Sequence, residues 1–311
     1  MLRSFIIFVI LFFFYIHVMF HYKKSEDMEI YETDYINNQK IQEVSDLKQP
    51  FLFELKEIIP HFFENATING GSHEVCVKDT KDMDSGNYFV LPFSSSRALI
   101  DTDDKGRYFS EKNYEMTEDM FSKENSTLDE LLKPPFTIVT KHDIMFGAKG
   151  AYTPMRYITD YRQYLCVLRG KIQVKMTPWK SRKYLYPKND YKHYEFRSPI
   201  DVWNPQPQFA NETDKVQYLE FDVYAGNVLY LPPFWFYSIK YLEDDTYVHS
   251  VIYDSIMNVI ANSPKWAMYF ITHNDKQNID VPVIPNKKVV DNFTEDKSIV
   301  DESGEPVNNN N

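Results

Sequence analysis

The chain opens on an uninterrupted apolar run. Residues 5–20 read FIIFVILFFFYIHVMF and hold no charged side chain. A helix of that length spans about 24 Å, slightly under a bilayer hydrocarbon core of about 30 Å. A core helix of a soluble protein would show a polar face, and this run shows none. Tyr22, Lys23 and Lys24 follow and suit a membrane interface. Cleavage of a signal peptide wants small residues, yet bulky Val18, Met19, Phe20 and Tyr22 stand there. An uncleaved transmembrane signal-anchor over 5–21 is therefore preferred to a cleaved leader.

Residues 22–50 are polar and acidic with scattered Ile and Val, the pattern of a stalk. Residues 51–135 form a mixed N-terminal flanking region. Its apolar stretch from Phe51 to Phe63 is broken by Pro60. Ser126-Thr-Leu-Asp129 is spelled like a capping box opening a short helix that stops before Pro134-Pro135. From Phe136 a period of two takes over. Ile172, Val174 and Met176 alternate with Gln173 and Lys175, and 216–223, 227–231 and 247–253 read as further strands. Ser263-Pro264 supply an N-cap and a first-turn proline for an aromatic helix to about Thr272. The end, 294–311, is acidic and Asn-rich and predicts disorder. Many short strands and few helices imply a sandwich or closed barrel, and spacing alone does not choose between them.

Composition adds three constraints. The formal charge of −11 is the wrong sign for neutralising phosphates, so no nucleic-acid partner is expected. Two cysteines, Cys76 and Cys166, have no zinc-ligand spacing and leave open two buried thiols or one disulfide. Asn-x-Thr glycosylation sequons fall at Asn65, Asn125, Asn211 and Asn292. They point to a single-pass protein with a lumenal or extracellular body, whereas the flanking charges are nearly tied.

Four ordered stretches together resemble the JmjC-type cupin-like family. They are Phe146-Gly-Ala-Lys-Gly-Ala-Tyr-Thr-Pro-Met-Arg-Tyr157; Gly170-Lys with Thr177-Pro178 and Leu185-Tyr-Pro187; Ser198-Pro-Ile-Asp-Val-Trp-Asn-Pro205; and Gly226-Asn-Val-Leu-Tyr-Leu-Pro-Pro-Phe-Trp-Phe-Tyr237. The resemblance implies a mainly β fold: a JmjC-like cupin double-stranded β-helix over 136–275 with flanking helices, preceded by the transmembrane helix. It also implies Fe(II)/2-oxoglutarate-dependent hydroxylation or demethylation on a triad of two His and one carboxylate with open coordination positions.

At the family's triad positions this sequence has other residues. The first His falls at Arg156, or at Tyr157 if a one-residue insertion lies earlier; the Asp falls at Ile158 or Thr159; the distal His falls at Tyr237. Arg156 stays protonated and offers no lone pair. The reading is thus a catalytically degenerate, membrane-anchored binding or structural module with no cofactor. One alternative is an Fe(II)/2-oxoglutarate protein hydroxylase with non-standard ligands, for which Asp160, His193 and His249 are the fallback metal residues. Another is an anion- or sugar-binding cupin, with Thr153, Arg156, Gln163, Trp235 and Tyr237 as pocket and Arg156 gripping an anion or pairing with Asp160. The aromatic run Phe234–Tyr237 reads first as core. Expected partners are the membrane and an unidentified protein or small anionic ligand. The resemblance adds a homodimer through the helix Ser263–Thr272.

Overall fold

The computed structural model describes residues 2–64, 68, 70–82 and 86–274. The helices are α1 (Leu2–His21), α2 (Asn38–Ser45), α3 (Pro60–Glu64), α4 (Phe93–Asp101), α5 (Tyr114–Met120), α6 (Ser122–Leu132), α7 (Arg182–Leu185), α8 (Ala210–Thr213), α9 (Ile256–Ala261) and α10 (Ser263–Asn274). The N-terminal strands are β1 (Tyr31–Glu32), β2 (Phe51–Glu54), β3 (Glu74–Asp79), β4 (Phe89–Pro92), β5 (Tyr108–Ser110) and β6 (Thr137–Gly147). Then come β7 (Arg156–Tyr157), β8 (Arg162–Arg169), β9 (Lys171–Thr177), β10 (Lys188–Asp190) and β11 (Glu195–Arg197). The last are β12 (Leu219–Tyr224), β13 (Asn227–Leu231), β14 (Phe236–Tyr241) and β15 (Thr246–Ser255).

The strands form two sheets. One has the order β1-β2-β13-β8-β15-β6-β5-β3-β4, the other β10-β11-β7-β14-β9-β12. Inward residues of both, such as Leu165 and Val248 from the first and Val174 and Ile239 from the second, share one core. A second cluster gathers Tyr157, Leu185, Phe196, Phe234 and Phe236 at one end. These large sheets with flanking helices fit the mainly β, cupin-like fold. The alternation on β9 is realised: Ile172, Val174 and Met176 are buried while Gln173 and Lys175 are half-exposed. Gly170 turns between β8 and β9 at φ +70°, a conformation in which a Cβ would also strike Thr246.

Three local expectations are corrected. Residues 22–50 are no loose stalk, because β1 pairs in parallel with β2 and α2 buries Ile41 and Ser45. Buried Arg162 pairs with Asp46 and donates to Gln42 Oε1 at 3.1 Å, which ties this lead-in to β8. Helix α6 begins at Ser122, and Ser126 Oγ donates to the Ser122 carbonyl in its interior instead of capping it. The strand expected from Val216 starts only at Leu219, since Val216 N closes the turn after α8 on the Thr213 carbonyl. Helix α10 opens at Ser263 as predicted.

Cys76 and Cys166 are free thiols, the first half-buried and the second buried. Asn125 is 7% exposed, and its Nδ2, the atom a glycan would take, donates to the Thr117 carbonyl. Glycosylation of the folded domain is therefore blocked there. Asn211 is exposed on α8. Asn65, Asn292 and the tail 294–311 lie outside the described residues. Helix α1 is long and apolar enough to cross a membrane, with a mean hydropathy of 2.2 and 6% of the span buried.

Candidate functional site

A cavity of about 250 Å³ lies between the two sheets, lined by Glu111, Asp143, Arg156, Asp160, Gln163 and Tyr237 among others. Strand β7 positions Arg156. It runs between β11 and β14, with Arg156 opposite Arg197 on one side and Tyr237 on the other. Side chains of adjacent strand residues point to opposite faces. Arg156 accordingly enters the cavity, while the Tyr157 ring stacks on Phe196 at 5.0 Å in the second core cluster.

The Arg156 guanidinium is not free. Nη1 donates to Glu111 Oε1 at 2.7 Å and Nη2 donates to Oε2, a bidentate pair in which both side chains are almost wholly buried. The expected partner, Asp160, is replaced by Glu111, which the chain places just after β5. Tyr88 Oη donates to Glu111 Oε1 at 2.7 Å, and Glu195 Oε1 lies 3.1 Å from the same hydroxyl. Lys112 Nζ reaches Glu195 at 2.5 Å, and Arg197 Nε lies 3.1 Å from its other oxygen. The Tyr237 ring faces the Arg156 guanidinium at 5.5 Å.

Burial opposes ionisation of both glutamates, but cations prevail. Lys112, Arg156 and Arg197 pull Glu195 down to about 2, and the charge and hydrogen bonds of Arg156 hold Glu111 below its ordinary value. At the other end Asp160 meets another carboxylate, Asp254. Burial and then the Asp160 charge push Asp254 up to about 7, even though its Oδ1 accepts from Tyr161 N and Asn258 Nδ2. Burial likewise raises Asp160, against the opposing pull of Lys141. Asp143 is lifted by burial to about 6 while its oxygens accept the backbone N–H groups of Lys112 and Asn113, each at 2.7 Å.

Of the residues singled out from sequence, Arg156, Ile158, Thr159, Asp160, Gln163, His193 and Tyr237 line this cavity. Thr153 does not. It is buried, its Oγ1 accepts from Ile239 N at 2.9 Å, and its carbonyl accepts from Ser238 Oγ. Trp235 is packed at 1% exposure outside the cavity wall. His249 is also absent. Ser250 and Ile252 of β15 line the cavity, so strand alternation turns His249 to the far face. There its Nε2 meets His142 Nδ1 at 3.2 Å, and His142 Nε2 meets Asp129 at 3.1 Å. Burial and His142 press the His249 imidazole down to about 3. His193 is a rim residue whose Nδ1 lies 2.8 Å from Asp190 Oδ2. Asp160, His193 and His249 therefore do not converge, and among the described residues no group of three His, Cys, Asp or Glu is placed to hold a metal ion.

Sequence reasoning missed Glu111, Tyr88 and Asp254. Each comes from a segment outside the recognised motifs, and nothing local marks it.

A cupin-like domain family matches residues 110–259, from the residue before Glu111 through most of α9. The JmjC domain-containing protein D of Dictyostelium discoideum is 33% identical over 101 residues, which is 31% of this chain and 21% of that protein. Residues 110–259 thus match a cupin-like domain, and part of the chain is similar to a JmjC domain-containing protein. The match takes in about a fifth of the relative's length, so it speaks for the domain alone.

The resemblance puts the triad of this cupin-like domain at Arg156 or Tyr157, at Ile158 or Thr159, and at Tyr237. In the register of β7 and β14, Arg156 is the direct cross-strand partner of Tyr237, and Tyr157 that of Phe236. The residues present do not fit the iron of the family. A guanidinium already held by a carboxylate, an aliphatic chain and a phenol stand where two imidazoles and a carboxylate are needed. Near the guanidinium a metal ion would meet like charge, and both glutamates are occupied by cations.

Proposed function

We propose that this protein is a membrane-anchored binding module, a cupin-like domain in which an ion pair stands in the place of the family's metal. The observation that carries the reading is the bidentate Arg156–Glu111 pair, cross-strand from Tyr237. Among the buried polar atoms at the cavity without a hydrogen-bond partner in the described residues are Gln163 Oε1 and Arg156 Nε, while Glu195 Oε2 has only its ion pair with Arg197. Such atoms are costly unless water or a ligand meets them. They favour a small polar ligand carrying both a donor and an acceptor. A free anion grip by the Arg156 fork is disfavoured, since Glu111 already fills it.

Helix α1 serves as the anchor, and exposed Asn211 fits a lumenal or extracellular body. Exposed Met268, Phe270 and Ile271 on α10 suit a homodimer contact. The alternative is an oxygenase with unusual ligands. To separate the two, the full chain in detergent micelles is loaded anaerobically with Fe(II) or Mn(II), freed of excess metal, and assayed for metal per chain with and without 2-oxoglutarate. Near-zero metal, unmoved by 2-oxoglutarate, is the expected result. Close to one metal per chain, raised by 2-oxoglutarate, would overturn the proposal.

A further inference from the structure

Helix α1 is held directly against the domain. It lies on α9, where Tyr22 Oη donates to the Ala261 carbonyl. The His21 ring packs on Tyr161 at 5.1 Å, and Lys48 Nζ sits 4.9 Å from the Phe20 ring. Val18 and Phe20 are half-buried and His21 is buried. The chain beyond has no slack either, because Lys24 Nζ rests 4.1 Å from the Trp179 ring.

That docking shortens the usable span. The helix has 20 residues, about 30 Å at 1.5 Å per residue, which would just match a hydrocarbon core. With residues 18–21 engaged by the domain, residues 2–17 remain, and they cover only about 24 Å. The deficit is roughly 6 Å. An apolar face lying in the interface sinks by about 5–10 Å, enough to close it.

The surface beside α9 has the composition that sinking requires. Phe136 is 81% exposed and Ile138 is 55% exposed at the start of β6. Ile256 and Ile260 of α9 stay exposed at 44% and 37%, although α1 packs on the same helix. One turn apart, they share a face. The Phe136 carbonyl accepts from Ile256 N at 3.3 Å, so the two groups adjoin. Phe136 also holds φ at +60°, a conformation uncommon for a bulky residue. Exposed Tyr22 and Lys23 follow the helix, residue types that settle at headgroup level.

We infer that the face of Phe136, Ile138, Ile256 and Ile260 is seated in the membrane interface beside α1, so that the domain rides on the bilayer. The inference rests on the reading of α1 as membrane-spanning and adds which side of the domain faces lipid. The opposite end of β6 points away from the bilayer. Strand β5 pairs with β6 at Phe146 and Gly147, at that far end, and β3 and β4 extend from β5. Eleven residues of β6 put that end more than about 30 Å from Phe136.

The test uses the full chain in nanodiscs of phosphatidylcholine with a minor share of phosphatidylserine, in a Cys76→Ser background with Cys166 buried. Nitroxide labels are placed by Phe8→Cys, Phe136→Cys, Ile260→Cys and, on β4, Phe89→Cys. Oxygen and a water-soluble nickel complex then report lipid and water. We expect the oxygen-to-nickel accessibility ratio at 136 and 260 to approach that at 8 and to exceed that at 89 severalfold. Lipid exposure at 8 with ratios at 136 and 260 equal to that at 89 would overturn the inference and leave the anchor standing. Water exposure at 8 would remove the anchor and the inference together. Labels at 136 and 260 shielded from both reagents and broadened by mutual spin coupling would also overturn it, by showing a second copy on this face.

Discussion

The two ends of the cavity bury their carboxylates in opposite ways. Where β5, β7 and β11 meet, Glu111 and Glu195 are surrounded by Arg156, Lys112 and Arg197, and both are held ionised. Beside β15 and α9, Asp160 and Asp254 face each other, and burial with mutual repulsion favours a retained proton. All four carboxylates are largely withdrawn from water. The sign of each shift is set by the neighbours, since desolvation acts the same way on all of them. One end of the cavity is thus a neutralised ion-pair network. At the other, the lining residue Asp160 backs onto Asp254, and burial raises both, Asp254 to about 7.

The largest effect should come from breaking the first end. Arg156→Met leaves Glu111 buried without its cation and is expected to destabilise the full chain by about 3–5 kcal/mol. The double variant Arg156→Met/Glu111→Leu should recover most of that loss, because no charge is then left unpaired. Thermal unfolding in micelles measures both. A double variant as unstable as the single one would show that the pair is not the unit on which this end depends.

The second end predicts a pH slope. Asp254 goes from about 3.8 unfolded to about 7 folded, so between those values the folded state holds more protons. Its contribution to stability is therefore full below about pH 4 and is lost as pH rises to 7. Glu195, lowered from 4.5 to about 2, gives the opposite slope: its contribution is full above pH 4.5 and is lost as pH falls towards 2. Asp254→Asn keeps the Oδ1 acceptor for Tyr161 and Asn258 and removes the titration. It should stabilise the protein by roughly 2 kcal/mol at pH 8 and by little near pH 4. Equal effects at both pH values would break the contrast between the two ends.

Individual elements were readable because they are written in local spacing, whereas the cupin-like architecture came from the resemblance of four ordered motifs. Alternation on β9, the motif ending in Tyr237 and the Ser263-Pro264 start of α10 each lie within a dozen residues. The pairing of Arg156 was not readable. Glu111 is 45 residues away in sequence and reaches the cavity through the β5–β6 pairing, whereas Asp160 is four residues away and was the natural guess. His249 failed for a related reason. Its type suits a ligand, but only the register of β15 against β6 and β8 shows which face it occupies. The stalk reading failed because polar composition does not reveal that Asp46 and Gln42 are bonded to buried Arg162.

The smallest effect concerns Gln163, which lies between the two ends. Its Nε2 donates to Ser250 Oγ at 2.9 Å, while Oε1 is 96% withdrawn with its residue and has no partner among the described residues. A hydrogen bond of that kind stabilises by about 1 kcal/mol, and an unmet buried acceptor costs about 1–3 kcal/mol. Gln163→Met removes both at nearly constant volume, so the terms offset and stability should stay within about 1 kcal/mol of the parent. A loss well beyond that, read by the same thermal unfolding, would mean that Oε1 is satisfied in solution by ordered water. The cavity would then be preorganised around solvent. A neutral result leaves Gln163 as the free acceptor of the site, and the variant becomes the means of abolishing ligand-induced stabilisation without disturbing the charged ends.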